Sequence, residues 1–205
     1  MGKQEELSKL REEIKKCQRC PLYKGTIQAV PGSGDPEAKI MFIGEAPGFY
    51  EDQKGEPFVG NAGHLLDDLL KGAGFLRSEV FITNIIKHRP PQNRDPRDEE
   101  ILACKPWLDR QLEILKPKLI VTLGRISLSR FCPGQFISKV SGQERWVGDY
   151  LVLPLFHPAA ALRDGRVHAR LESDFAKIPK LLANLEKRQE KNDSGEVKVE
   201  QEKLF

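Results

Sequence analysis

The chain has 205 residues, 39% hydrophobic and 31% charged, and its 33 basic and 30 acidic side chains leave a formal net charge of +3. That is enough apolar material for one core and too little chain for two full domains. The near-balance of charge excludes a histone-like polycation, so any nucleic-acid surface has to be a local patch.

No apolar run approaches the roughly 20 residues of a membrane span, and the charged opening MGKQEELSKLREEIKK has no secretory h-region. A cytoplasmic protein is the expectation. Residues 4–16 place Leu7, Leu10 and Ile14 at i, i+3, i+7, the spacing of a short amphipathic helix. A strand follows at Lys39–Ile43, a helix at 62–73, a strand at Val80–Ile86 and a helix at 98–115. Then come a strand at Leu119–Leu123, a helix at 125–131, a strand at Tyr150–Phe156 and a helix at 172–188. The strands are almost continuously apolar, as strands buried on both faces are. Their alternation with helices predicts one α/β domain over residues 1–188 with a parallel sheet. Sites in such sheets lie in the loops at the carboxyl ends of the strands. Residues 189–205 are charge-rich and predict a disordered tail.

Four cysteines occur, Cys17, Cys20, Cys104 and Cys132. In a cytoplasmic chain a C-x-x-C pair points to metal or redox chemistry. Cys17 and Cys20 follow a helix and precede a loop, which is not the strand-to-helix setting of a thioredoxin motif. Their partners come from Cys104, Cys132 and the histidines, and spacing does not choose among them. Three thiolates and one imidazole suit a closed zinc site as well as an iron–sulfur cluster.

The loop after the first strand reads Gly44-Glu45-Ala46-Pro47-Gly48, with Glu51 close behind, and continues to Gly55-Glu56-Pro57-Phe58-Val59-Gly60-Asn61-Ala62-Gly63. The second strand ends in Thr83-Asn84, where a neutral amide can both donate and accept toward a base edge, and leads into Lys87-His88-Arg89-Pro90-Pro91-Gln92-Asn93-Arg94. The fourth ends in Phe156-His157-Pro158-Ala159. A histidine fixed by proline at a strand end is a candidate for acid–base or electrostatic catalysis.

These motifs, in this order and behind an N-terminal C-x-x-C, resemble the family 4 (iron–sulfur) uracil-DNA glycosylases over residues 10–185. The resemblance implies a four-stranded parallel sheet flanked by helices. It also implies hydrolysis of the N-glycosidic bond of deoxyuridine in DNA, leaving an abasic site. Gly44, Glu45, Ala46, Phe58, Asn84 and His157 would then bind uracil, with Phe58 stacking and Asn84 reading the base edge. Glu51 or its neighbours would exclude thymine. His157 would stabilise the departing uracil anion, Glu45 would stabilise the sugar cation or orient water, and Asn93 is a second candidate for positioning water. Leu162 would fill the space left in the duplex. Arg163, Arg166, Arg89 and Arg94, with Lys87 and Arg97, would meet DNA phosphates.

One departure matters. The usual family pattern has a fourth cysteine where this chain has His88. The expected ligand set is therefore Cys17, Cys20, Cys104 and His88 around a 4Fe–4S cluster, with zinc as the alternative and Cys132 outside the pattern. Covalent uracil-DNA-binding relatives also carry His there, but their KRRIH loop is missing here, so turnover is expected. The alternatives are a protein that traps uracil-DNA and a zinc-stabilised nucleic-acid-binding module. The last residues, with Gln201, Leu204 and Phe205, resemble the bacterial sliding-clamp pentapeptide. A monomer is expected.

Overall fold

A computed structural model describes residues 2–193. The clamp-like motif at Gln201, Leu204 and Phe205 lies outside the described residues. Helix α1 (Lys3–Lys15) leads to a loop, a short strand β1 (Ser33–Gly34) and the strand β2 (Ile40–Gly44). Next come α2 (Phe49–Lys54), α3 (Asn61–Gly72), β3 (Phe81–Asn84), α4 (Asp98–Leu115), β4 (Leu119–Leu123) and α5 (Arg125–Phe131). A short α6 (Ile137–Val140), β5 (Arg145–Val147), β6 (Tyr150–Leu155), α7 (Pro158–Ala161), α8 (Gly165–Phe175) and α9 (Ile178–Asp193) complete it.

The sheet has six strands in the order β1-β3-β2-β4-β6-β5. The expectation of four parallel strands is correct for the centre, where β3, β2, β4 and β6 all run parallel. It misses the antiparallel edges, β1 on β3 and β5 on β6. Those pieces are two and three residues long, too short to leave a periodic pattern. The β5–β6 hairpin turns at Gly148, whose φ of 57° suits a tight turn.

Side chains of β2 alternate between two cores. Met41 and Ile43 face α1 and α4 with Leu10, Ile14, Trp107 and Leu108. Ile40 and Phe42 face α3, α8 and α9 with Leu66, Leu70, Leu171 and Ile178. Phe42 stacks on Phe175 at 5.8 Å, a contact whose loss to alanine would cost about 3–5 kcal/mol. The helix expected at 172–188 is two helices, with a break at Ala176 and Lys177. Pro179 restarts the chain in the first turn of α9, where its missing N–H costs nothing. Helix α9 continues to Asp193, past the boundary drawn at 188.

Candidate active site

The carboxyl ends of the parallel strands open into a cavity of about 700 Å³. It sits where strand order reverses around β2, the position at which open α/β sheets bind ligands. Glu45, Ala46, Glu51, Phe58, Asn84, Asn93, His157, Leu162 and Arg163 all reach its wall. Gly44 lies beneath it. A Cβ there would collide with Asn84 Oδ1 and the Phe58 ring, so glycine lets both close over the strand end.

Asn84 is the last residue of β3 and only 1% exposed, and its side-chain Oδ1 is buried without a hydrogen-bond partner. A buried acceptor left unpaired costs about 1–3 kcal/mol unless a ligand supplies the donor. Phe58 holds a left-handed backbone, φ 52°, unusual for an aromatic residue and a common mark of functional loops. Its ring stacks on that of His157 at 5.5 Å and 24°.

His157 caps α7, and its Nδ1 accepts the Ala159 N–H at 3.1 Å. The ring proton therefore sits on Nε2. Burial pulls the imidazole down to about 4, only partly opposed by the Glu51 carboxylate, so the ring is a neutral donor near pH 7. Glu45 Oε1 accepts the Ile126 N–H at 3.0 Å at the start of α5. Burial raises its carboxyl above the ordinary range, against the opposing pull of that amide and of Arg125.

Glu51 has a role the sequence did not reveal. Its Oε2 accepts Gly48 N–H at 3.1 Å, and its Oε1 accepts Val59 N–H at 2.9 Å and Gly60 N–H at 3.0 Å. One carboxylate thus knots the two glycine loops that shape the cavity.

The expected basic rim is only partly free. Lys87 is fully buried rather than at the mouth. Its ammonium donates to Thr83 Oγ1 at 2.7 Å, to Asn84 O at 2.8 Å and to Gln111 Oε1 at 2.8 Å. With only neutral acceptors around it, burial pulls the Lys87 amine down to about 7, and its partner Gln111 is remote in sequence, which hid it. Arg94 reaches the cavity wall but grips Glu100 through both Nη atoms, at 2.9 and 2.6 Å. Arg166 folds back on Asp164, and Arg97 lies beside Glu99. Arg89 donates to Asn93 Oδ1 at 2.7 Å, so that amide oxygen is engaged. Arg163 lines the cavity beside the half-exposed Leu162.

The cysteines lie in the core that packs against α1 and α4. Cys17, Cys20, Cys104 and Cys132 are buried and none forms a disulfide. Trp107 Nε1–H donates to Cys17 Sγ at 3.1 Å. The Cys104 thiol hydrogen-bonds Cys20 and pulls it below the usual thiol range, while Cys104 itself is pushed up. His88 is 4% exposed, and its Nδ1 is buried with no partner. Among the described residues, no three His, Cys, Asp or Glu side chains converge as a site for one metal ion.

The sequence profile of the uracil DNA glycosylase superfamily matches residues 31–183, and the chain belongs to that superfamily. A type-4 uracil-DNA glycosylase from Sulfurisphaera tokodaii is 48% identical over 85% of this chain and 84% of its own. One from Saccharolobus solfataricus is 47% identical over 87% of each. Another, from Archaeoglobus fulgidus, is 45% identical over 86% of this chain and 94% of its own. Within the superfamily, the chain belongs with the type-4 uracil-DNA glycosylases.

Proposed function

We propose that the cavity hydrolyses the N-glycosidic bond of a flipped-out deoxyuridine in DNA, releasing uracil and leaving an abasic site for base excision repair. The observation that carries this reading is the buried, unpartnered Asn84 Oδ1 beside the fixed Phe58 ring. Uracil offers N3–H to that oxygen and O4 to the amide N–H. Cytosine has no N3–H, and an unmatched buried amide can reject an analogue by up to about 10⁴-fold. Glu51, immobilised by three backbone amides, forms the rigid wall that excludes the 5-methyl of thymine.

As the bond breaks, negative charge grows on uracil and positive charge on the sugar. The Nε2–H of neutral His157 donates to the developing oxyanion, and a preorganised donor of this kind contributes about 10²–10³ in rate. Glu45 stabilises the sugar cation or holds the attacking water. Asn93, whose oxygen is taken by Arg89, has its amide N–H₂ left for positioning. Leu162 enters the space vacated in the stack, and Arg163 meets phosphate.

We also propose a 4Fe–4S cluster on Cys17, Cys20, Cys104 and His88. Buried thiols with an indole N–H aimed at one of them, and an orphaned buried imidazole nitrogen, support that donor set. When bound, the cluster supplies a tie between the N-terminal segment, the His88 loop and α4. Imidazole in place of thiolate raises its potential. The enzyme is proposed to act in the cytoplasm, where undisulfided cysteines persist. A monomer is proposed. The tail motif would tether it to a sliding clamp, and deletion of residues 201–205 should abolish that binding.

The main test mixes the protein with a 5′-labelled oligonucleotide containing one uracil, followed by alkali and a denaturing gel. Scission at uracil with many turnovers is expected. An intact strand would overturn the reading, and a shifted band stable to heat and SDS would mark a covalent trap instead.

A further inference from the structure

The cavity mouth carries an exposed aromatic pair that the reaction does not use. Phe49 and Tyr50 open helix α2 and are 50% and 56% exposed. Their rings meet edge to face at 5.5 Å and 82°. The Arg89 guanidinium lies over the Phe49 ring, 5.1 Å from its centroid, and its Nε–H reaches Asn93 Oδ1.

Tyr50 and Asn93 both line the cavity, so the stack bridges two points of its rim. Single exposed apolar residues need no explanation. Two neighbouring aromatic rings, capped by a guanidinium and joined to a substrate cavity, are a different case. The stack is also anchored. A Cβ on Gly60 would come within 3.1 Å of the Tyr50 ring, so that ring rests on the glycine loop which Glu51 ties down.

Aromatic faces beside a guanidinium that contacts a neutral amide match the chemistry of a nucleobase attached to a phosphate. The base stacks, and the cation attracts the backbone. In duplex DNA the neighbours of the uracil stay paired, and the faces that flipping uncovers meet Leu162, so they are not on offer. In a single strand they are.

We propose that Phe49, Tyr50 and Arg89 form a stacking platform for the unpaired nucleobase next to the flipped uridine on the same strand, making single-stranded uracil-DNA the better-held substrate. The proposal rests on the reading of the cavity as a uracil site. It adds a second base position to that site and a preference between substrates. Because every base has a π face, the platform tolerates any neighbour.

The test compares the full chain with Phe49→Ala and Phe49→Trp on one uracil oligonucleotide, single-stranded and paired. Phe49→Ala should raise KM for the single strand roughly 5- to 100-fold, the size of one lost base–aromatic stack. The duplex KM and both kcat values should stay within about twofold, and Phe49→Trp should restore binding. A 2-aminopurine beside the uracil should lose fluorescence on binding the unaltered protein and keep it with Phe49→Ala. An equal rise in both KM values, or no change in KM and quenching, overturns the platform. Failure of the unaltered protein to excise uracil from either substrate would instead overturn the reading of the cavity.

Discussion

Glu45 and Ile126 are 81 positions apart, yet the carboxylate of one accepts the backbone N–H of the other at 3.0 Å. This bond ties the loop after β2 to the start of α5. It also fixes a carboxylate of raised proton affinity on the cavity wall. Glu45→Gln keeps an oxygen for Ile126 and removes the charge. Single-turnover excision should slow by about 10²-fold or more while the thermal melt stays within about 2 °C. An unchanged rate would remove Glu45 from the chemistry.

His157 should remain neutral far below the usual histidine range, since burial holds its ring at about 4. An NMR titration should show no protonation of this ring above pH 5. The unfolded chain takes up a proton near pH 6.5 that the folded chain refuses until about 4. Stability should therefore fall as pH drops through that window, by roughly 3 kcal/mol in all. His157→Asn should flatten this part of the stability curve. A ring titrating near 6.5 would contradict the buried-donor account.

Glu51→Ala leaves three backbone amides without their acceptor. Part of the cost is recovered by water, so about 2 kcal/mol of stability should be lost, a fall of about 4–8 °C in Tm. Uracil KM should rise, and excision of thymine opposite guanine should become measurable. If the melt and both activities stay unchanged, Glu51 neither knots the loops nor guards the ring.

The sequence exposed the central sheet well, because strands buried on both faces are written as runs such as Leu119–Leu123. Helices 98–115 and 125–131 were legible to the residue, the first beginning at a cluster of acids that suits a helix N-terminus. The residues lining the cavity were legible through motifs at strand ends. What side chains do there was not. Glu51 acts on amides eight and nine positions away, Arg94 is claimed by Glu100, and Arg89 lies on Phe49. Charge runs give composition, and only packing decides which charges remain free.

Lys87 makes that point testable. Lys87→Met removes the donor shared by three buried acceptors, of which Gln111 Oε1 keeps the Thr83 hydroxyl, and should destabilise the fold by about 2–4 kcal/mol in urea unfolding. The salt dependence of DNA binding should not change, because the ammonium meets no phosphate. Arg163→Gln should leave stability intact and reduce the salt slope by about one. The reverse pattern would place Lys87 on the DNA surface.

The proposed ligand set predicts different iron contents for the cysteine variants. Cys17→Ala and Cys104→Ala should each lose the brown absorbance near 400 nm and bound iron, whereas Cys132→Ala should keep both. His88→Cys should retain iron and shift the potential to more negative values. Full iron in Cys104→Ala, or loss in Cys132→Ala, would redraw the ligand set.

The left-handed backbone of Phe58 has a kinetic meaning. A loop that stores strain to hold a ring in place has met its ordering cost during folding, before any substrate arrives. The Glu51 knot does the same for the facing loop. On that reading the protein meets DNA already in its receiving shape, and the slow event at a paired uracil should be the opening of the DNA itself. Local helix stability, more than any motion of the enzyme, should set which uracils in a genome are found first.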